Sequence, residues 1–242
     1  MQRDTSLATR QVPRDAILAT AAAAGFVAIT AALAVGGPLL ELDLLVREWS
    51  EAHRPDWADT LARVFNRIGQ GAWLMIISGL LAAWLGWRRR TAGAPWRVVG
   101  QPLLYGVCTA VMIVPTVLLI KAITHRAAPS SDLPPEQTVE LFGSLPAGEY
   151  AAGYPGGHVL NTVVWYGVIV ALITAVLREY GRGDPPLSVR LAIRLVPFAI
   201  VLFTTTYLSF HWLTDGLAGL ALGLAIDRLL AVLRPYLWPT VP

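Results

Sequence analysis

The chain has 242 residues, of which 55% are hydrophobic and 14% charged. Soluble domains carry about 25% charged residues, and a soluble fold of this length has too little interior to hide so much apolar surface. The net charge of +3 comes from basic residues set between apolar runs, so it reports membrane topology and not nucleic-acid binding.

Residues 1–15, with Arg3, Arg10 and Arg14, read as a polar, poorly ordered cytoplasmic lead. An apolar run follows at 16–35. Ala32-Leu33-Ala34 resembles a signal cleavage site, but the run exceeds the about 7–15 residues of a signal core, so a retained helix is expected. Across 41–68, Leu42, Leu44, Leu45 and Trp49, then Trp57, Leu61, Val64 and Phe65, recur among charges at i, i+3, i+4 spacing. That pattern predicts short amphipathic helices on the membrane surface or packed on the bundle.

Further apolar runs occupy about 70–87, 98–120, 159–177, 191–210 and 212–233, each near the roughly 20 residues that cross a bilayer. Pro102, Pro115 and Pro197 lie inside such runs, which membrane helices tolerate. Gly216, Gly219 and Gly223 put small residues on one side of the last run, where a neighbouring helix can approach closely. Trp73, Trp87, Trp96, Trp212 and Trp238 mark run edges, as expected at the headgroup boundary. Cys108, the sole cysteine, excludes an internal disulfide and a cysteine-based metal site.

The fold expected is all-α: one polytopic six-helix transmembrane bundle over 16–235, with amphipathic interfacial helices and no second domain. Of the 19 basic residues, 13 fall on one set of connections and six (Arg47, Arg54, Arg63, Arg67, Lys121, Arg126) on the other. The positive-inside rule puts the first set, and both termini, in the cytoplasm.

Three segments carry chemistry: Lys121 to Pro129, Tyr154-Pro-Gly-Gly-His158, and His211-Trp-Leu-Thr-Asp215. With six crossings all three share one membrane face, whatever the absolute orientation. His211 and Asp215, four apart on a helix, share a face. An Asp one turn inside a membrane helix needs a partner, and His211 is the nearest. The pair reads either as structural or as a nucleophile or base oriented by a carboxylate. His158 follows two glycines and opens a run, so it reads as an interfacial helix start or as a proton donor beside an anion site, with the Gly156 and Gly157 backbone close to the ligand. Lys121 reads as snorkelling or as phosphate-binding, and Arg126 shares that ambiguity.

These residues resemble the type 2 phosphatidic acid phosphatase superfamily of membrane lipid phosphatases. Its motifs, K-x6-R-P, P-S-G-H and S-R-x5-H-x3-D, match in order and spacing across about residues 100–225. The resemblance implies that His211 forms a phosphohistidine, Asp215 orients it, His158 serves as acid and then base, and Lys121 binds phosphate oxygen, with no cofactor and no metal. The departures are Ala128 for the first arginine, Gly156 for the serine, and Thr204-Thr205 for Ser-Arg. Loss of two guanidiniums removes donors worth on the order of 10²–10³ in rate each. Three explanations compete: Arg126 substitutes, with Thr204, Thr205, Thr206, Ser130 and Ser131 as hydroxyl donors; the substrate is a phosphodiester or diphosphate with a different charge distribution; or the protein is catalytically weak and binds lipid.

The leading expectation is a phosphatase acting on a lipid phosphate or diphosphate at the extracytoplasmic face of a bacterial plasma membrane. Polyprenyl carriers and glycerophospholipids are both candidate substrates, and membrane lipids the only other partners. A transferase between lipid carriers using the same histidines, and a weak or non-enzymatic lipid-binding protein, are the alternatives. The sequence carries no signal for oligomeric state. The long connection at 127–157, with Asp132, Glu136, Glu140 and Glu149, reads as a solvated link or a lid.

Overall fold

The computed structural model describes residues 5–146 and 152–238. Ten helices follow one another: α1 (Thr5–Val35), α2 (Pro38–Ala52), α3 (Asp56–Asn66), α4 (Gly71–Thr91), α5 (Trp96–Val99), α6 (Gln101–Thr124), α7 (Pro135–Thr138), α8 (Gly157–Glu179), α9 (Leu187–Tyr207) and α10 (Leu213–Leu237). Six of them, α1 from Pro13, α4, α6, α8, α9 and α10, are long and apolar enough to cross a membrane. No strand occurs among the described residues. The segment expected to be an irregular lead is already helical from Thr5.

Helix α8 is the centre. Half of its apolar window is buried, against 6% for α1, and it packs on α4, α6, α9 and α10. Leu160, Val164, Trp165, Val168 and Leu172 recur along it at helical spacing and meet Leu74 and Leu85 of α4, Tyr105 and Ile113 of α6, and Ile226 and Leu230 of α10. Elsewhere the spans expose Leu80, Val107, Val111, Leu119, Leu195 and Phe203, an apolar exterior suited to lipid.

The two amphipathic helices are inside-out by soluble standards. Helix α2 exposes Leu42, Leu45 and Trp49 and buries Asp43 and Ser50; α3 exposes Trp57, Leu61 and Phe65 and buries Asn66. A helix lying at the membrane boundary turns its apolar stripe to lipid and its polar side to the bundle.

Glycines let the connection before α8 approach α10 closely. A Cβ at Gly156 would stand 2.8 Å from the Asp215 carbonyl oxygen, and one at Gly219 would strike the Gly156 carbonyl. The connection before α8 therefore lies directly against α10, and no serine fits at 156.

Candidate active site at one end of the bundle

The end of α6, the start of α8 and the start of α10 converge at one end of the bundle. Lys121 lies in the last turn of α6, and its ammonium donates to the carbonyls of Ala152 and, at 3.5 Å, Gly153. The segment 152–156 then leads into α8, held by Gly153 N–H to Arg126 O at 3.0 Å and Gly156 N–H to Asp215 O at 2.8 Å. Tyr154 within it is fully buried, stacks on Phe26 of α1 and pairs its hydroxyl with Thr30 at 2.5 Å. Burial pushes its phenol up to about 12.

His211 does not lie on a helix. Helix α9 ends at Tyr207, Ser209 takes a left-handed φ of 56°, and α10 starts at Leu213. Thr205 O accepts from the backbone N–H of Phe210 at 2.9 Å and of His211 at 3.2 Å. Arg54, between α2 and α3, clamps the same turn from outside, donating to Tyr207 O at 2.8 Å and to Ser209 Oγ at 3.3 Å. The shared helix face expected for His211 and Asp215 is therefore replaced by a turn that folds the ring back. Its Nδ1 bonds to Gly153 O at 2.8 Å and stands 3.8 Å from Asp215 Oδ2. The ring is 6% exposed, and its centroid lies 5.7 Å from that of His158, edge to face.

Asp215 has a different main partner from the one expected. Its Oδ2 accepts from the Trp212 N–H at 3.0 Å, capping α10, and its Oδ1 receives Arg126 Nη1 at 2.6 Å. Arg126 is fully buried. It also donates through Nη1 to Thr214 Oγ1 at 2.9 Å, through Nη2 to Asp43 Oδ2 at 2.7 Å and through Nε to Val139 O at 2.8 Å, and it lies 5.5 Å from the Trp212 ring centroid. Asp43 of α2 in turn accepts from the Thr214 N–H at 3.0 Å and from the Thr214 hydroxyl. Burial pushes the Asp43 carboxyl up from its ordinary value, against the pull of Arg126 and of the Thr214 hydroxyl and amide. Arg126 is thus enclosed by protein acceptors and is not presented to a ligand, a correction to its expected place as a substitute clamp.

The other expected donors divide in the same way. Thr204 Oγ1 bonds to Asn66 Oδ1 at 3.2 Å, and Thr205 Oγ1 to Val201 O at 2.7 Å, so both hydroxyls are spent inside the bundle. The Gly156 amide is spent on Asp215 O, whereas Gly157 opens the first turn of α8 beside His158. The connection at 127–157 is more than a solvated link: Ala127, Thr138, Val139 and Leu141 are buried, Trp212 Nε1 donates to Ala127 O at 3.0 Å, and Phe142 N to Thr124 O at 2.6 Å. Asp132, Glu136 and Glu140 are exposed, and Glu149 lies outside the described residues. Two residues that sequence reasoning passed over belong to this end: Asp43 within the buried network, and Arg47 one turn further along α2.

The family model of the PAP2 superfamily matches residues 100–239. The chain belongs to that superfamily. A similar solved structure is that of a transmembrane PAP2 type phosphatidylglycerolphosphate phosphatase from Bacillus subtilis, at 18% identity and a TM-score of 0.63 over 88% of this chain and 94% of that one. That likeness establishes a shared transmembrane fold, and the chain is an integral membrane protein. No curated protein matches the sequence. His158, His211 and Asp215 lie within the matched residues, whereas α2, which supplies Asp43, lies before them.

Proposed function

We propose that the protein is a lipid phosphatase that removes phosphate from a lipid phosphate or diphosphate through a phosphohistidine on His211. The observation that carries this reading is the hydrogen bond between His211 Nδ1 and Gly153 O. A carbonyl oxygen only accepts, so Nδ1 carries the hydrogen and the lone pair of the neutral ring sits on Nε2. A ring held in that tautomer is ready for attack on phosphorus.

In the first step Nε2 of His211 bonds to phosphorus as the P–O bond to the rest of the lipid breaks, and His158 gives its proton to the departing alkoxide or, for a diphosphate, to the departing lipid phosphate. In the second, a water gives a proton to His158, its oxygen bonds to phosphorus, the P–N bond breaks and phosphate leaves. The His211 ring becomes positive in between, and the Asp215 carboxylate 3.8 Å from Nδ1 stabilises that charge. Lys121 meets a phosphate oxygen. Asp43 and Arg126 act on Asp215 and so are positioning residues.

The excess of basic residues on the other set of connections supports a site that faces away from the cytoplasm. Polyprenyl phosphates and diphosphates and glycerophospholipid phosphates, phosphatidylglycerol phosphate among them, form the substrate panel.

The test is phosphate release by the purified protein in detergent across that panel, with His211→Ala beside it. His211-dependent release is expected, with the folded protein retained in the variant. Release that survives His211→Ala would remove the nucleophile assignment. Transfer of the phosphate to a second lipid, with none freed, would make the protein a transferase.

A further inference from the structure

A phosphoryl group in flight carries its charge on three equatorial oxygens, and donors that meet that charge dominate catalysis of its transfer. Arg126 is closed off by Asp43 and Asp215. A closed gap with no room for a water lies beside His211, and Asp43, Val46, Arg47, Pro129, Thr206 and Leu213 are among the residues that line it with the ring. Arg47 is its only lining cation. Its side chain is 18% exposed, its Nε donates to Glu51 at 2.9 Å, and no other partner holds its guanidinium among the described residues. Thr206 contributes a hydroxyl whose oxygen is buried with no partner among the described residues. A buried hydroxyl left unpaired is costly, and a ligand oxygen accepting its proton would recover that cost.

The placement of Arg47 follows from α2. Asp43 and Arg47 are four apart, so they share a helix face, and Asp43 is bonded to Thr214 and Arg126. That bond pins α2 and brings Arg47, one turn on, to the gap. The gap is closed as it stands, so binding of a phosphate there requires Arg47 to turn from Glu51.

Resting on the phosphatase reading above, we propose that Arg47 is the guanidinium that binds the substrate's phosphate oxygens beside His211, with the Thr206 hydroxyl as a second donor. A segment that precedes the family-matched residues thereby completes the site.

The test has two arms, both on purified full-length protein in detergent. The first is steady-state kinetics on whichever lipid phosphate the unsubstituted protein hydrolyses, comparing Arg47→Ala, Arg47→Lys and Thr206→Val. Arg47→Ala is expected to lower kcat/KM by about 10²–10³ with its melting temperature unchanged, Arg47→Lys to restore part of that, and Thr206→Val to lower it by about tenfold. The second is binding of orthovanadate, a phosphate mimic that needs no turnover, which Arg47→Ala should weaken at least tenfold. Wild-type turnover or unweakened vanadate binding in Arg47→Ala would overturn the proposal. If the unsubstituted protein releases no phosphate but its vanadate binding depends on Arg47, the anion site stands and the hydrolase reading falls.

Discussion

Two clusters of buried charge sit at opposite ends of this bundle, and they are built differently. At the site end, Asp43, Arg126 and Asp215 have side chains with no exposure, joined at 2.7 and 2.6 Å. About 18 Å further along α10, Asp227 meets Arg194 at 2.6 Å and Arg228 at 2.5 Å, and Arg228 reaches Asp15 at 2.9 Å, with side chains 9–27% exposed. The second cluster balances two carboxylates with two guanidiniums and is partly exposed. The first sets two carboxylates against one guanidinium, is dry, and ends 3.8 Å from an imidazole. A balanced cluster ties helices together. An unbalanced one holds negative charge beside His211, which is what the proposed phosphohistidine, positive while it lasts, requires.

Arg126→Met breaks the dry cluster and has the largest expected effect. It strands two buried carboxylates and should cost about 3–5 kcal/mol, read as a large drop in the detergent melting temperature, together with turnover. Adding Asp43→Asn removes one stranded charge and should recover part of the stability but none of the turnover. Recovery of turnover in the double variant would mean that Arg126 has no part in positioning Asp215.

Asp227→Asn should cost less, because the guanidiniums it leaves are partly exposed and not fully enclosed, and kcat/KM should stay within twofold. A loss of turnover as large as that of Arg126→Met would erase the distinction between the two ends.

The smallest effect is expected where charges are exposed. Arg178 donates to both oxygens of Asp184 at 2.7 Å, and these bonds hold the Asp184 carboxyl below its ordinary value. A lowered folded value means that the pair stabilises the fold above the ordinary Asp value of about 3.9, and that this contribution disappears as pH falls through the folded value. Asp184→Asn should therefore lower stability by less than about 1 kcal/mol near neutral pH and by nothing at strongly acid pH. An equal loss at both would show that the charge is not what matters there.

The six spans are legible in the sequence because each is an apolar run long enough to cross a bilayer, and the convergence of Lys121, His158 and His211 follows from counting crossings. The network behind them is not legible. Trp212 at the start of α10 disguises a capping aspartate, so His211 and Asp215 look like neighbours on one helix when a turn separates them. Arg126 looks like a free cation because nothing in its own segment announces Asp43, 83 residues earlier in the chain. The signal was present on α2. Asp43, Arg47 and Ser50 form a polar stripe opposite Leu42, Leu45 and Trp49, and on a helix whose apolar side faces lipid the polar stripe is the side that enters the protein. Glycine at 156 is equally opaque from sequence, since only the packing against Asp215 shows that there is no room for a side chain.

The most direct test of the account is to trap the phosphoenzyme. His158→Ala should slow the water step, and an aryl phosphate, whose leaving group departs without a proton, should still load the nucleophile. An acid-labile, alkali-stable phosphoryl adduct is expected on His211, found by mass spectrometry of the rapidly quenched protein and absent when His211→Ala is added. An adduct on another residue, or turnover without any adduct, would contradict it.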